Sequence, residues 1–262
     1  MILLLGGISE SIVLARKLLA ANQRVIFCTA TSTRMDLPSD PRLERRCGAM
    51  ELKDIVNLVH ERGVQMIVDC THPYAIQVTA NAIAAAKQTG VPYLAYSRPG
   101  MVDPASRCAE DRFHLARDHA HAARLAFGFG RPVLITTGSR NIAVYANESR
   151  QTGITCFARV LPASESASAC QAAGLAPENI IAARGPFTRE QNLLHLREHD
   201  IGVMVTKDSG QAGGVDTKLQ AARELHCEVV VVTRPQTAGR SAFSRLDELA
   251  EAISLLISSS RS

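Results

Sequence analysis

The chain has 262 residues, of which 46% are hydrophobic and 21% are charged, and its formal net charge at pH 7 is +4. This balance is ordinary for a globular protein and excludes a disordered chain, a collagen-like repeat and an acidic tail. The positive charge is too mild and too dispersed for a nucleic-acid partner. No apolar run approaches the roughly 20 residues of a membrane helix, so we expect a cytoplasmic protein with no membrane partner.

The cysteines and histidines do not form convincing metal-ligand patterns. None of the seven cysteines belongs to a Cys-x-x-Cys pair, and their number is odd. We interpret them as small buried side chains rather than disulfide partners or zinc ligands. His195 and His199 match an inverted zinc-protease pattern, but a solvated polar helix face explains them better. We therefore expect no metal site.

Short apolar runs alternate with helical patterns in the first half of the chain. The first run is continuous, as expected for a buried parallel strand. Ser9 is the predicted N-cap of the first helix, and Gly63 and Gly90 are the predicted C-caps of the next two. The predicted strands cover residues 2–5, 24–31, 66–70 and 93–97.

A second series of strands and helices occupies the rest of the chain. A helix is predicted over residues 113–127. Thr188 with Gln191, and Ser244 with Asp247, form capping boxes that indicate two further helix starts. The predicted strands cover residues 133–137, 155–161, 180–183, 203–207 and 228–233.

The repeated strand–helix–strand rhythm determines the predicted fold. It indicates right-handed βαβ units and parallel sheets. The fold class is therefore α/β, with two Rossmann-like parallel-sheet domains at residues 1–128 and 129–262. Open α/β sheets bind ligands beyond the carboxyl ends of their strands, so we expect an interdomain cleft to hold the site.

The loop Gly6-Gly7-Ile8-Ser9-Glu10 joins the first predicted strand to the first helix. Dinucleotide-binding folds place a pyrophosphate at this turn, because backbone N–H groups and the helix dipole attract anions. The loop is not a full Gly-x-Gly-x-x-Gly motif, since serines replace two of the glycines. A tight turn of any α/β protein is the alternative, but the place of the loop at the start of the sequence favours phosphate binding.

The end of the second predicted strand offers hydroxyl groups and a cation. An NAD enzyme needs a carboxylate there to accept from the ribose hydroxyls. This sequence instead has Thr31, Ser32 and Arg34 before its first carboxylate, Asp36. That set suits a 2′-phosphate, so NADPH is the expected cofactor, and a plain polar loop is the alternative.

Polar residues also follow the third predicted strand, where Thr71, His72 and Tyr74 surround a proline. A strand that ends in this way directs polar groups to the carboxyl edge of its sheet. We interpret the cluster as functional, although a lone histidine is more often a structural residue.

Two loops of the second predicted domain combine glycines with cations. One carries Arg184, and the other runs from Lys207, Asp208 and Ser209 to Lys218. Such loops at strand ends can hold carboxylates or phosphates. An ordinary loop-to-helix turn is the alternative.

Taken together, these motifs resemble the precorrin-6A reductase family, which includes cobalt-precorrin-6A reductases of cobalamin biosynthesis. The family pattern is Gly-Gly-x-x-Glu, Asp-x-Thr-His-Pro-aromatic-Ala, Gly-Pro-Phe and Thr-Lys-Asp-Ser-Gly, and all four occur here in that order. The Arg-Pro pairs at 98–99 and 234–235 also resemble family signatures. The sequence departs from the family at Ile8, where Thr is usual, and lacks the aromatic residues that often follow residue 99. The four motifs begin at Gly6, Asp69, Gly185 and Thr206.

The resemblance implies an oxidoreductase that uses NADPH to reduce a ring double bond of a carboxylate-rich tetrapyrrole, without flavin or metal on the protein. A hydride is added to one ring carbon and a proton to its neighbour. The substrate is precorrin-6A or its cobalt form, and the sequence does not distinguish them. It also leaves the oligomeric state open, with a monomer among the alternatives.

The resemblance further implies roles for the motif residues. His72 and Asp208 are the candidate catalytic acids, with bulk water as the alternative proton source. The expected substrate-binding residues are Arg184, Lys207, Ser209 and Lys218. The expected cofactor-binding residues are Gly6, Gly7, Ser9, Glu10, Thr31, Ser32, Arg34, Thr71 and Tyr74.

Two other functions would also use a Rossmann-like domain. A generic NADP-dependent dehydrogenase of a small anionic substrate usually has a Tyr-x-x-x-Lys pair, and no tyrosine here has a lysine four residues later. A non-catalytic dinucleotide-sensing module would not need the charged strand ends of the second domain. Turnover of a tetrapyrrole by NADPH separates both from the favoured function.

Overall fold

A computed structural model describes residues 1–30, 36–98, 112–208, 214–234 and 242–259 of the chain. Within these ranges, strands and helices alternate and form two separate parallel sheets of six strands each. None of the helices that the described residues form is long and apolar enough to cross a membrane. The predicted α/β class with two Rossmann-like sheets is therefore confirmed.

The elements are numbered in chain order. The strands are β1 (Ile2–Leu5), β2 (Val25–Thr29), β3 (Leu43–Cys47), β4 (Met66–Asp69), β5 (Tyr93–Tyr96), β6 (Phe113–Ala116), β7 (Val133–Ile135), β8 (Cys156–Val160), β9 (Ile180–Ala182), β10 (Val203–Lys207), β11 (Glu228–Val232) and β12 (Ala242–Phe243). The helices are α1 (Ser9–Ala20), α2 (Leu52–Arg62), α3 (Ile76–Thr89), α4 (His119–Gly128), α5 (Ile142–Thr152), α6 (Ser164–Ala172), α7 (Arg189–Glu198), α8 (Val215–Glu224) and α9 (Leu246–Ser259).

The first sheet has the strand order β3-β2-β1-β4-β5-β12. Its central strands β1 and β4 are buried along their whole length, which explains their uninterrupted apolar sequences. The order reverses between these two strands, because β2 and β3 extend the sheet to one side and β4 and β5 to the other. Ligands of open α/β sheets bind at the carboxyl edge of such a switch point.

Helices cover both faces of the first sheet. Leu14 and Leu18 of α1 pack with Ile253 of α9 on one face. Ile55 of α2 and Ala82 of α3 pack on the other. Because β1 and β4 are parallel neighbours in this sheet, the loops that follow them lie next to each other.

The second sheet has the order β9-β8-β7-β10-β11-β6, which reverses between β7 and β10. On one face, Leu193 and Leu196 of α7 and Ala222 of α8 pack against Leu134 and Met204. On the other face, α4 packs against β10 and β11. The loops after β7 and β10 therefore flank a second switch point.

The chain divides at residues other than the predicted boundary at 128. Unit 1 comprises Met1–Pro99 and Gln236–Ser262, and unit 2 comprises Gly100–Pro235. The predicted division into 1–128 and 129–262 therefore assigned β6, α4, β12 and α9 to the wrong domains. The physical reason is that β6 pairs with β11, while α9 buries an apolar face among the residues of the first sheet.

The segment predicted as one helix over 113–127 is instead β6 followed by α4. Asp118 separates the two elements, because its side chain accepts a hydrogen bond from the N–H of His121 at 2.7 Å and caps α4. Before this cap, Phe113 and Leu115 lie in a strand parallel to β11.

Other local predictions fare differently. The N-cap of α1 is Ile8 rather than Ser9, whereas the C-caps of α2 and α3 are left-handed glycines as predicted. The capping box of Thr188 with Gln191 is confirmed. The cysteines in the described ranges form no disulfide; Cys47 is exposed and the others are buried.

Candidate functional site

The turn after β1 is shaped by two glycines. Gly6 is packed so closely that a Cβ atom there would lie 2.4 Å from Cζ of Phe27. Gly7 has a φ of 146°, and a Cβ atom there would meet nothing within 4 Å. The N–H of Gly7 donates to Oγ of Ser11 at 3.4 Å. Oγ of Ser11 in turn donates to the carbonyl of Ile8 at 2.6 Å, and the N-terminus of α1 has no side-chain cap. A glycine turn beside an uncapped helix N-terminus is suited to a phosphate.

The side chains of Ser9 and Glu10 are both engaged by Arg98, which follows β5. Nε of Arg98 donates to Oε1 of Glu10 at 2.5 Å, and Nη2 donates to Oε2 of Glu10 and, at 3.0 Å, to Oγ of Ser9. Burial raises the pKa of Glu10, but hydrogen bonds from Arg98, the backbone and Ser9 outweigh it and hold the pKa below its usual value. Sequence reasoning assigns Arg98 no role.

Asp69 organises the loop after β4. Its buried carboxylate accepts hydrogen bonds from the N–H and Oγ1 of Thr71 at 2.9 and 2.6 Å. It also accepts from Oγ1 of Thr79 at 2.7 Å and from the phenol of Tyr93 at 2.8 Å. The hydroxyl of Thr71, which we expected at the cofactor, therefore serves the loop itself.

His72 and Tyr74 lie half-buried in this loop, with ring centroids 5.5 Å apart. The N–H of Tyr74 donates to Nδ1 of His72 at 3.4 Å. In a neutral imidazole that accepts at Nδ1, the one proton is on Nε2. Because Leu5 pairs with Asp69 across β1 and β4, the loop lies beside the Gly6–Gly7 turn at the switch point.

The residues expected at the adenosine phosphate follow β2. Thr31, Ser32 and Arg34 lie outside the described residues. Asp36 is described, and its carboxylate lies 2.7 Å from Nη2 of Arg16 on α1. Asp36 is the first carboxylate after β2 in the sequence, and it is already bound in this exposed ion pair.

In unit 2, Lys207 and Asp208 come at the end of β10, and the expected Ser209 lies outside the described residues. Burial, and then the charge of Arg140, lowers the pKa of the half-buried Lys207. Asp208 is 7% exposed and pairs with Arg234, whose Nε lies 3.2 Å from Oδ2. The carboxylate of Asp208 is therefore held by a cation of its own unit.

Lys218 of α8 is buried near the same edge of the second sheet. Its ammonium donates to Oγ1 of Thr206 at 3.4 Å. Burial, and then the charge of Arg159, lowers the pKa of Lys218 to about 7. In the part of the chain that the structure describes, neither Lys218 nor Arg159 has a carboxylate partner.

Arg159, near the carboxyl end of β8, is a site residue that sequence reasoning missed. Its Nη1 donates to Oδ1 of Asn192 at 2.8 Å and lies 3.1 Å from Nδ1 of His195. Its guanidinium lies 4.0 Å from the ring centroid of Phe187, and its Nη2 is buried without a hydrogen-bond partner. His195 therefore faces Arg159, and the expected solvated helix face is wrong. The available signal was a cation inside an otherwise apolar strand.

Arg184, also expected at the substrate, is exposed in the loop after β9. This loop contains Phe187, whose carbonyl accepts from Oγ1 of Thr217 at 2.9 Å. The carboxyl edge of the second sheet therefore combines one exposed arginine with the half-buried Lys207 and the buried Lys218. Such a set of cations can bind several carboxylates.

The fold and the site together define a class of protein. Two Rossmann-like sheets, one with a glycine turn and one with a cationic edge, are typical of an α/β enzyme that binds a dinucleotide and an anionic substrate. A family model described as "Precorrin-6x reductase CbiJ/CobK" matches residues 1–254. The chain belongs to this family, whose members are oxidoreductases of cobalamin biosynthesis, and the resemblance seen in the motifs is confirmed.

Similar proteins match nearly the full length of the chain. Cobalt-precorrin-6A reductase from Priestia megaterium is 31% identical over 254 residues, which cover 97% of this chain and 98% of that protein. Precorrin-6A reductase from Rhodococcus erythropolis is 34% identical over 257 residues, with coverage of 96% and 95%. A solved structure titled "CobK precorrin-6A reductase" matches with a TM-score of 0.78 at 27% identity, over 97% of this chain and 96% of that one.

Proposed function

We propose that the chain reduces one ring double bond of precorrin-6A, or of its cobalt form, with NADPH in the cytoplasm. The observation that carries this proposal is the adjacency of two loops at the switch point of unit 1, in a chain of the reductase family. One loop is the Gly6–Gly7 turn, and the other holds His72 and Tyr74. When bound, the dinucleotide would supply the hydride. The residues of the chain would bind and orient the dinucleotide and the tetrapyrrole, and would deliver a proton to the ring.

The Gly6–Gly7 turn fits a pyrophosphate. The space that a side chain at Gly7 would occupy is open, and α1 begins without a side-chain cap. Ser9 contributes through its backbone N–H, because its hydroxyl is bound to Arg98 and Glu10. We place the nicotinamide beside His72 and Tyr74, which follow the neighbouring strand β4.

The preference for NADPH over NADH follows from the end of β2. Thr31, Ser32 and Arg34 would donate to the 2′-phosphate. The carboxylate of Asp36 is already paired with Arg16, so it is less suited to accept from the ribose hydroxyls of NADH. We expect NADPH to be preferred by at least about tenfold, equivalent to about 1.4 kcal/mol. Arg34→Ala should remove most of this margin by weakening NADPH alone. Equal use of NADH by the unaltered chain would contradict the assignment.

The cations of unit 2 would bind the carboxylates of the ring. Arg184, Lys207 and Lys218, together with Ser209, are the proposed contacts. Charge-assisted hydrogen bonds contribute about 1.5–3 kcal/mol each. Replacing one cation by Ala should therefore raise the substrate KM roughly ten- to a hundredfold and leave the NADPH affinity unchanged.

His72 is the favoured proton donor, since Asp208 is ion-paired with Arg234. His72→Asn should lower turnover by about 10²–10⁴-fold if the residue protonates the ring. An unchanged rate and pH profile would instead indicate that solvent supplies the proton.

The decisive experiment follows the absorbance of NADPH when the chain is mixed with metal-free or cobalt-loaded precorrin-6A. We expect NADPH oxidation that requires the tetrapyrrole, and the faster substrate identifies the natural form. Oxidation with small anionic substrates alone would favour a generic dehydrogenase. NADPH binding without turnover of either tetrapyrrole would favour a dinucleotide-sensing module.

A further inference from the structure

The helix that would bind the pyrophosphate carries a negative charge in its first turn. Glu10 is the second residue of α1, within one turn of the Gly6–Gly7 loop. The positive end of a helix attracts any nearby anion. A carboxylate at this position therefore competes with the pyrophosphate for the same backbone N–H groups, and the two anions repel each other.

Arg98 reaches this carboxylate from the opposite side of the switch point, where it follows β5. Its Nε and Nη2 donate to the two carboxylate oxygens of Glu10, which is the directional two-point geometry of strong Arg–carboxylate pairs. Ser9 completes the arrangement, because its Oγ accepts from Arg98 at 3.0 Å and donates to Glu10 at 2.9 Å. The side chains of Arg98 and Glu10 are only 8% and 20% exposed, so solvent screens their charges weakly.

We propose that Arg98 is a positioning residue for the dinucleotide, which neutralises Glu10 and holds its carboxylate away from the pyrophosphate. The inference rests on the proposed cofactor site and adds a residue that acts through Glu10 and Ser9. The pKa of Glu10 lies below its usual value, so the carboxylate is charged at neutral pH. Without Arg98, the cofactor would therefore meet an uncompensated anion at the start of α1.

A double-mutant cycle tests this role. The dissociation constant of NADPH is measured by NADPH fluorescence on the full chain and on Arg98→Met, Glu10→Gln and the double variant. Because an uncompensated carboxylate at the start of α1 repels an anionic ligand, Arg98→Met should weaken NADPH binding about tenfold. Glu10→Gln alone gives the reference of the cycle. The double variant should recover most of the affinity that Arg98→Met loses, because it no longer carries the uncompensated carboxylate.

Two further readouts separate this role from simple stabilisation of the fold. The loss in Arg98→Met should shrink as salt is added, because the repulsion is electrostatic, and kcat at saturating NADPH should be unchanged. Arg98→Lys, which keeps the charge without the planar fork, should lie between the unaltered chain and Arg98→Met. Lys17→Met is the matched control, since it removes a cation of α1 that pairs with Asp247 at the surface, and it should bind NADPH normally.

Two results would overturn the proposal. In the first, Arg98→Met binds NADPH as tightly as the unaltered chain. In the second, the double variant remains as weak as Arg98→Met, so that Arg98 acts by direct contact or through folding. If the unaltered chain and all variants fail alike to bind NADPH, the proposed cofactor site itself is wrong and the positioning role falls with it.

Discussion

At the turn after β1, the space around Gly6 sets a limit on the side chain. A Cβ atom there would overlap Phe27, which is 1% exposed in the core of unit 1. Gly6→Ala should therefore lower the free energy of unfolding by about 1–3 kcal/mol, as overpacking usually does. Gly128→Ala is the control, because a Cβ atom there meets nothing within 4 Å. Urea denaturation of both variants checks this. If Gly6→Ala were as stable as the unaltered chain, Phe27 would be able to shift without cost.

Lys218 makes the stability of the chain depend on pH. Its folded pKa of about 7 lies below its ordinary value of 10.5, so the unfolded chain binds more protons between these pH values. The contribution of this group to the free energy of unfolding therefore rises as the pH increases from about 7 towards 10.5. The charged group beside it is Arg159 on β8, and the titratable His195 on α7 lies next to Arg159; burial, and then the charge of Arg159, lowers the pKa of His195.

Lys218→Met removes this titration. The variant should be more stable than the unaltered chain at about pH 6, and its advantage should shrink as the pH rises to about 9. Lys17→Met, which alters an exposed lysine, should show no such trend. Urea denaturation at several pH values measures both, and a constant difference for Lys218→Met would show that the ammonium is not the source.

Single residues of the site were predictable when a local motif named them. His72 and Tyr74 follow a recognisable strand, and the structure places them beside the Gly6–Gly7 turn. The contacts of Arg98 could not be predicted, because its partner Glu10 lies 88 positions away in sequence. The same is true of Arg159, whose partners lie on a different element.

The junction between β4 and α3 depends on the carboxylate of Asp69. Its hydrogen bonds join the strand end to Thr79 of α3 and Tyr93 of β5. Asp69→Asn replaces an acceptor oxygen by an NH₂ group that faces these donors, and each buried group left unpaired costs about 1–3 kcal/mol. We expect a lower Tm and weaker NADPH binding, because the loop carrying His72 loses its support. Asp54→Asn, at the start of α2, provides a control that affects only a helix cap.

Strands and helices were predictable where their burial or their ends give the sequence a recognisable pattern. The apolar runs of β1 and β4 follow from burial on both faces, and glycines mark the ends of α2 and α3. The edge strand β3 has the exposed sequence Leu-Glu-Arg-Arg-Cys and carries no such mark. The helix predicted over 113–127 failed because an apolar four-residue strand and a helical turn look alike until Asp118 is recognised as a cap.

At the scale of the whole molecule, the chain crosses between its units directly after two similar dipeptides. One is Arg98-Pro99 and the other is Arg234-Pro235. Each arginine is fixed within its own unit by an ion pair, with Glu10 in unit 1 and Asp208 in unit 2. The return of the chain to unit 1 was not predictable, because the apolar face of α9 would fit either sheet.

This return makes unit 1 depend on the last helix of the chain. Ile253 of α9 is fully buried among the core residues of unit 1, whereas Leu255 on the same helix is 72% exposed. Ile253→Ala should lower stability by about 2–5 kcal/mol through the cavity it leaves. Leu255→Ala should stay within about 0.5 kcal/mol of the unaltered chain.

Amide hydrogen exchange localises this effect. In Ile253→Ala, exchange should accelerate in β1, β2 and β4, while β7 and β10 of unit 2 keep their protection, because Ile253 lies in the core of the first sheet. NADPH should restore part of the lost protection, since a ligand that binds only the folded unit stabilises it. If exchange accelerates equally in β7 and β10, the two units unfold together, and α9 does not belong to unit 1 alone.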